Sequence, residues 1–381
     1  FVSAENSTYN NTFGGPQIVE VVVSNSDINR LDQAYGAPDV TVNGQDVVMA
    51  QGSDGSWYAY IADKTNADLA DADANFDFGI KCTTAQADDA GVFFNAANTS
   101  FAQTEGVYTN ADACTAGHSA AVTQNVLEGT KSLNADSDID VLGQIDLEAN
   151  VWPFIQLYNF NPTGQVEIEY KKAGGNEVSV LTYDTTTDLV VIDVDRNLVP
   201  QGAQVHVGIG DPQLNIDPTS EDSWFFDTVD GGAHYGDKSS PSVAITATDA
   251  ALSTMMFESN GILKITTANV LEIDAANNDT NPSATQIALY ETGANTSYFT
   301  TYDDSDDSIL QVTSAALRGT AGTFDYNDSP VSIVASNFFA TVNMDADSVG
   351  DEWNSGEEIT VSLFDEDLNK NSRADEDLDL N

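Results

Sequence analysis

The sequence predicts an all-β protein built from tandem sandwich domains. Short runs of β-branched and aromatic residues recur between clusters of Gly, Asn, Asp and Pro, for example at residues 18–23, 47–50, 57–61 and 178–183. Residues 154–183 are predicted to form a three-stranded meander, because turn residues interrupt their apolar runs at 161–164 and 174–176. The sequence contains no convincing long amphipathic helix, and the Ala-rich stretches at 66–74 and 111–122 fit short helical turns or loops.

An internal repeat sets the predicted domain organisation. Residues 205–217 align without gaps on residues 359–371, and each segment is a period-two strand followed by an acidic loop. A weaker third copy opens the chain at residues 19–29. We therefore predict a domain with insertions at 1–184, a second domain at 185–336, and the first strands of a truncated third domain at 337–381. This last piece cannot bury a core alone and favours a longer parent chain.

Charge is the strongest compositional signal. The 381 residues include 61 Asp and Glu against 12 Lys and Arg, a formal net charge of −49. Nucleic acid and anionic lipid headgroups would be repelled. The acids recur throughout the chain, so we expect cations to bind or screen the folded surface. The alternative is a strongly solvated surface, as in halophilic proteins, without specific sites.

Several features favour an extracellular protein. The chain has no 18-residue apolar run, so this segment is not predicted to span a membrane, and it begins without a charged leader. Its two cysteines, Cys82 and Cys114, would form a disulfide in an oxidising compartment, or else remain two buried thiols. Six glycosylation sequons occur, at Asn6, Asn10, Asn98, Asn278, Asn295 and Asn327. Some of these are expected by chance in so Asn-rich a chain.

The acidic loops are candidate calcium sites, because hard cations prefer six to eight oxygen ligands. The candidate ligands lie in the loops that follow the repeated strands, in the Asp pairs that precede them, and in one earlier acidic stretch: Asp211, Asn215, Asp217 and Asp222; Asp365, Asp367, Asn369, Asn371 and Glu376; Asp193 and Asp195; Asp345 and Asp347; Asp71, Asp73 and Asp77. Mg2+ is the second candidate ion. The loops are no EF-hands, since strands precede them and Ile216 and Lys370 stand where Gly is required. Alternatively, the Asp and Asn side chains cap their own backbone in Asx-turns.

Signals for catalysis are weak. The three histidines, His118, His206 and His234, are scattered, and no nucleophile elbow, zinc-protease motif or phosphate loop is present. His206 alternates with apolar residues, so we expect it on the outer face of a strand. Paired carboxylates of a glycoside hydrolase are possible in any chain this acidic and are therefore unspecific. The sequence predicts that the protein is not an enzyme.

Several phrases resemble the surface-layer (S-layer) proteins of ammonia-oxidising archaea, the thaumarchaeal, Nitrosopumilus-like lattice proteins. They lie at residues 54–63, 76–82, 152–158 and 214–224, and the strongest is VPQGAQVHV at 199–207. The resemblance implies immunoglobulin-like domains that self-assemble into a porous two-dimensional lattice, stabilised by divalent cations, as the outermost cell envelope. It also implies acidic pores that favour cations such as ammonium, and loop ligands at Asp211, Asn215 and Asp217.

The sequence therefore predicts a structural, cation-binding S-layer component at the cell surface. The alternative is a secreted adhesin or glycan-binding β-sandwich, in which exposed Trp57, Trp224 and Trp353 would stack on sugar rings, although buried core tryptophans are the commoner case. A secreted hydrolase is the third candidate and would need a cluster of catalytic groups in one cleft.

Overall fold

The structure is a computed structural model and is all-β, which confirms the predicted fold class. It describes residues 1–31, 36–72, 76–83, 104–109, 126–133, 152–227, 233–236, 245–247, 249–266, 270–273, 286–302, 305–345, 352 and 354–377. Within these ranges the two α-helices, α1 (Lys64–Ala72) and α2 (Asp249–Thr254), are short, and neither could cross a membrane.

Residues 1–183 form a sandwich of two sheets. Its strands are β1 (Thr12–Phe13), β2 (Val19–Val23), β3 (Asp39–Val42), β4 (Gln45–Val47), β5 (Ala50–Gln51), β6 (Trp57–Asp63), β7 (Ile80–Cys82), β8 (Val107–Thr109), β9 (Phe154–Tyr158), β10 (Gly164–Lys171) and β11 (Glu177–Tyr183). One sheet has the order β1-β11-β10-β3-β4 and the other β2-β6-β9-β8-β7, with β5 paired to β6. Inward side chains of both sheets, among them Val21, Trp57 and Ile168, share one apolar cluster. We call this sandwich module one.

The predicted meander at 154–183 is wrong in one respect. β10 and β11 do form an antiparallel hairpin, but β9 lies in the opposite sheet, parallel to β6. The reason is visible in burial: β9 is buried at every position, as a central strand must be, whereas β10 alternates between buried and exposed positions. The segment between them crosses from one sheet to the other.

Residues 191–336, module two, form a larger set of sheets. The strands are β12 (Val191–Val194), β13 (Leu198–Pro200), β14 (Val207–Gly210), β15 (Ser223–Asp227), β16 (Ala233–Gly236), β17 (Ile245–Ala247), β18 (Leu263–Thr266), β19 (Leu271–Ile273), β20 (Gln286–Glu291), β21 (Tyr298–Thr300), β22 (Leu310–Val312), β23 (Ala321–Tyr326) and β24 (Ser329–Ser336). The sheet β12-β14-β21-β20-β15-β16-β17 shares a core with the sheet β13-β24-β23-β18, and β19 pairs with β22.

The last described strands, β25 (Thr341–Met344) and β26 (Val361–Phe364), form an antiparallel hairpin. Every residue of both strands is exposed. β26 is the repeat counterpart of β14, in which every residue is buried. The described part of the third piece therefore repeats the start of module two with both strands exposed.

Strand pairing and the apolar core divide the chain differently. Every strand pair of the described residues lies on one side of the predicted boundaries at 184/185 and 336/337. The main apolar cluster, however, crosses the first boundary, and Phe76 lies against Tyr235 with ring centroids 5.1 Å apart. Gly15 has a φ of +60°, and a Cβ there would lie 2.6 Å from the carbonyl oxygen of Met255. The first two modules are thus closely packed.

Candidate functional site

The two aligned acidic loops have the same backbone geometry. Asp211 follows β14 with φ −148° and ψ 109°, and its carboxylate accepts a hydrogen bond from the Gln213 N–H at 2.9 Å. Asp365 follows β26 with φ −147° and ψ 105°, and its carboxylate accepts one from the Asp367 N–H at 3.0 Å. A single 3-10 turn follows in each loop. The first acid of each loop is therefore an Asx cap, the alternative that the sequence left open.

The last predicted ligand of each loop also binds backbone. Asp222 accepts hydrogen bonds from the N–H groups of Ile216 and Asp217 at 2.6 and 3.1 Å. Glu376 accepts from the N–H groups of Lys370 and Asn371, which occupy the same two loop positions. The repeat thus conserves a hydrogen-bonding pattern in which the acid closes the loop onto itself.

Asp211 is enclosed by hydrogen-bond donors. Its Oδ2 accepts from the Tyr326 hydroxyl at 2.6 Å, and its Oδ1 accepts from the Thr186 hydroxyl and the Asn260 amide at 3.2 and 3.4 Å. Burial raises the pKa of Asp211 to about 6, although the hydrogen bonds from Tyr326, Gln213 and Thr186 act in the opposite direction. The carboxylate is held by neutral donors, with no cationic side chain among them.

Asp222 and Glu291 form a buried acidic pair beside the loop. The backbone N–H of Asp222 donates to Oε2 of Glu291 at 3.1 Å, and the Tyr235 hydroxyl donates to Asp222 at 2.6 Å. Burial raises the pKa of Glu291 to about 7. Burial and then repulsion from Glu291 and Asp217 raise the pKa of Asp222 well above its ordinary value. Around neutral pH this pair is therefore expected to hold a proton.

The carboxylates of the Asp211 loop accept hydrogen bonds from protein groups. No group of three or more His, Cys, Asp or Glu side chains in the described part of the chain is arranged to hold a metal. Asn215 donates to Asn295 Oδ1 and Ser297 Oγ, and its own buried Oδ1 has no hydrogen-bond partner. The buried Oδ1 of Asn260, whose amide nitrogen donates to Asp211, also has no hydrogen-bond partner. Calcium and magnesium ligation in this loop stays a prediction.

The Asp pairs that precede the two repeated strands do not align in their sequence order. Strand register matches Asp195 with Asp345, since their N–H groups donate to the carbonyls of His206 and Thr360 at 3.1 and 2.9 Å. Asp193 lies on β12, two residues before Asp195, and pairs with Gly208 of β14. Its carboxylate accepts a hydrogen bond from the Tyr298 hydroxyl at 2.9 Å. The two Asp pairs are therefore offset by two residues in strand register, with Asp195 equivalent to Asp345. The structure does not bring these side chains to the Asp211 loop.

Two of the remaining predicted ligands are neighbours: burial and, to a smaller extent, the nearby Asp77 carboxylate raise the pKa of Asp71. Asp71 and Asp77 each accept a backbone hydrogen bond near the end of α1, from Phe78 and Gly79 at 3.2 and 2.9 Å. Asp217 accepts from the Thr219 N–H and hydroxyl, and Asp367 from the Phe338 N–H. Asp73 and Asp347 lie outside the described residues.

The loops join neighbouring modules, a role that sequence reasoning missed. The Ile18 N–H, just before β2, donates to the Ile216 carbonyl of the next module at 3.1 Å. The Gln204 N–H, at the same place before β14, donates to the Lys370 carbonyl at 2.7 Å. Ile216 and Lys370 are the same loop position. Each loop therefore docks on the start of the repeated strand of the module before it, and we call this contact the junction.

Side chains reinforce both junctions. At the first, Asp217 accepts from the Glu128 N–H at 2.8 Å. At the second, the Arg196 guanidinium donates to the carbonyls of Asn369, Lys370 and Gln204 at 3.1, 3.3 and 3.1 Å. The scarcity of basic residues is the only sequence signal that singles out Arg196.

Asn371 and His206 also belong to the second junction. Asn371 donates to the Asp306 carbonyl and to Asp307 at 3.0 and 3.1 Å. His206 is 2% exposed, so its predicted outward position is wrong. Its Nδ1 faces both Asp195 and Ser372, and its Nε2 faces the Asp306 carbonyl at 3.1 Å. This is not the arrangement of a catalytic triad, which places the acid and the nucleophile at opposite ring nitrogens.

The tryptophans of the two modules have equivalent structural roles. The indole N–H of Trp57 donates to the Ile28 carbonyl at 3.2 Å, and that of Trp224 to the Leu214 carbonyl at 2.7 Å. Both rings are at most 1% exposed. Neither can stack on a sugar ring, as the adhesin alternative requires, and Trp353 lies outside the described residues.

Four of the six sequons can be placed. Asn6 is half-buried and Asn10 exposed, both beside the first 3-10 turn. The amide nitrogens of Asn295 and Asn327 donate to the carbonyls of Ser3 and Thr187 at 3.0 and 2.7 Å. Asn98 and Asn278 lie outside the described residues.

Cys82 is buried and disulfide-bonded. Cys114 lies outside the described residues, so its pairing with Cys82 stays a prediction.

Comparisons with known proteins give little further information. No protein-family model and no curated protein matches the chain. Among solved structures, it is similar to the Yersinia pseudotuberculosis adhesin InvE, with 8% sequence identity and a TM-score of 0.17, over 48% of this chain and 42% of that one. At this TM-score the similarity carries no inference about fold or function.

Proposed function

We propose that the chain is a structural segment of an S-layer at the cell surface, which assembles laterally into a porous sheet. The observation that carries this proposal is the repeated junction. The same N–H to carbonyl contact joins module one to module two and module two to the third piece. A protein that repeats the same contact between successive modules is suited to a structural role.

The junctions support this proposal because a regular lattice needs units of fixed shape. Neighbouring domains usually move relative to one another unless their interface is large and apolar. Here the main apolar cluster crosses between modules one and two, and Arg196 links three carbonyls at the second junction. Such a chain would present its lateral surfaces in a constant arrangement.

The surface charge supports a cation-attracting role. A net charge of −49 makes each copy repel the next, so assembly requires counterions. Ca2+ and Mg2+ enter the proposal as these counterions at the surface, since the carboxylates of the loops already accept protein hydrogen bonds. Narrow acidic pores would then favour cations such as ammonium within about one Debye length of the walls, about 8 Å at physiological ionic strength.

Electron microscopy of the purified chain with Ca2+ or Mg2+ tests the proposal. We expect ordered sheets, and we expect Arg196→Ala to reduce order because it removes the guanidinium hydrogen bonds that reinforce the second junction. Arg318→Ala is the matched control, since Arg318 is exposed. A chain that stays monomeric with every cation and binds glycans on an array would contradict the lattice and support the adhesin alternative.

A further inference from the structure

A hydroxyl, a carboxylate and a primary amide lie together where the chain enters module two. Oγ1 of Thr186 is 3.2 Å from Oδ1 of Asp211 and 3.2 Å from Oε1 of Gln213. The amide of Asn260 donates to Oγ1 of Thr186 at 3.0 Å. All four side chains are 0% exposed. These are the groups that an acyl transfer needs: a nucleophile, a base beside it, and an acyl group with a leaving nitrogen.

The hydroxyl of Thr186 is placed to act as the nucleophile. It has one proton, and the ionised Asp211 carboxylate is a stronger acceptor for that proton than the neutral Gln213 amide. A lone pair therefore remains toward the Gln213 carbonyl. A C=O bond of about 1.2 Å puts the carbonyl carbon within about 4.4 Å of Oγ1. A small rotation of the Gln213 side chain brings the two atoms to the separation of about 3 to 3.5 Å from which attack occurs.

Asp211 is suited to the role of general base. Burial raises its pKa to about 6, so its carboxylate is mostly ionised at neutral pH and is a stronger base than an exposed Asp. The Tyr326 hydroxyl donates to its other oxygen at 2.6 Å and holds the carboxylate in place. This hydrogen bond and the one from the Gln213 N–H do not involve Thr186, so they remain after its hydroxyl has reacted.

The two ends of the Gln213 amide have different surroundings. Nδ2 of Asn260 donates to its Oε1 at 3.3 Å, which stabilises the negative charge that attack would place on that oxygen. Its buried Nε2 has no hydrogen-bond partner among the described residues, which is unfavourable. Nε2 faces Gly15, where a Cβ would lie only 2.9 Å away. Departure of this nitrogen as ammonia removes the unpaired group.

The aligned loops of the other modules lack this amide. Asp27 after β2 and Asp367 after β26 stand at the position of Gln213, and the N–H of each donates to the first residue of its loop, as the Gln213 N–H does. A carboxylate has no amine to lose, and its charge disfavours attack by a hydroxyl. The reactive combination is therefore specific to module two within the described loops.

We propose that the Thr186 hydroxyl attacks the side-chain carbonyl carbon of Gln213 and forms an intramolecular ester with loss of ammonia. The bond from Oγ1 to this carbon forms and the bond from the carbon to Nε2 breaks. The hydroxyl proton passes to Asp211 and then to the departing nitrogen, so no other reactant is needed. A pull along the chain then bypasses residues 187–212, which suits a protein under load. Ester formation does not depend on lattice assembly.

Mass spectrometry of the intact chain, unfolded and reduced, tests the proposal. We expect a mass below that of the sequence by one molecule of ammonia. Trypsin should then release residues 173–196 and 197–238 as one joined species, because Arg196 is the cleavage site between the two linked residues. Mild alkali should separate these peptides and leave a carboxylic acid in place of the Gln213 amide. The full sequence mass after prolonged incubation at neutral pH would overturn the proposal.

Four variants distinguish the ester from other losses of ammonia. Thr186→Ala and Gln213→Glu should each have the full mass of their own sequence. Thr186→Ser keeps a hydroxyl and should still lose ammonia. So should the control Thr187→Ala, since the hydroxyl of Thr187 donates to Glu258 instead. A loss that persists in Thr186→Ala would come from elsewhere, such as a succinimide at an Asn-Gly pair, and would overturn the proposal, as would a folded Thr186→Ser chain without the link.

Discussion

Asp211→Asn tests directly how the acidic loop is built. The carboxylate of Asp211 is buried, and burial raises its pKa to about 6, against about 3.9 for an exposed Asp. Between these values the folded protein binds a proton that the unfolded chain does not. The free energy of unfolding must therefore fall as pH rises through this window. Asn has the same shape, does not titrate, and can donate its amide to the Tyr326 hydroxyl.

The expected magnitude follows from this shift. About two pKa units correspond to about 3 kcal/mol over the whole window. Between about pH 5 and about pH 7.5, the wild type should lose about 1.4 kcal/mol more stability than Asp211→Asn. Glu291 and Asp222 titrate in the same direction but are present in both proteins, so their contributions cancel in the comparison. Urea unfolding followed by tryptophan fluorescence, to which the buried Trp57 and Trp224 contribute, measures the difference.

Asp375→Asn is the control for this experiment, because it removes an acid at the surface. It should leave the pH dependence of unfolding unchanged. If the wild type and Asp211→Asn lose the same stability between the two pH values, the carboxylate does not titrate there. The account of a proton held by burial would then be wrong.

Three further predictions concern the core, the cations and the glycans. Trp224→Phe should lower the free energy of unfolding by about 1 to 3 kcal/mol in urea titrations, because the buried Leu214 carbonyl loses its donor. A loss below about 1 kcal/mol would contradict this role. Chelation at constant ionic strength should leave Tm unchanged, while added NaCl raises it by screening self-repulsion; a fall in Tm on chelation alone would indicate a specific metal. Mass spectrometry after expression in a glycosylating host should find glycan on Asn10 but not on Asn327, whose amide donates to Thr187; the reverse pattern would refute this.

The sequence alone determined the fold class and the repeat. Period-two apolar runs specify strands because alternate side chains face opposite sides of a sheet, and this pattern survives in β2, β10 and β11. The gapless alignment of the two acidic loops was also sufficient to predict their shared structure. Their common Asx caps at Asp211 and Asp365 depend only on local contacts, which a sequence motif can encode.

Tertiary structure decided what those loops contact. Spacing of oxygens along the chain is the same for a cation site and for a loop closed by N–H donors. The difference lies in distant partners such as Tyr326 and Thr186, which hold Asp211. His206 was misplaced for a related reason: residues 205–210, which include β14, are buried on both faces, and alternation along one strand does not reveal this. The junction likewise arises between segments far apart in sequence, and only their packing together brings them into contact.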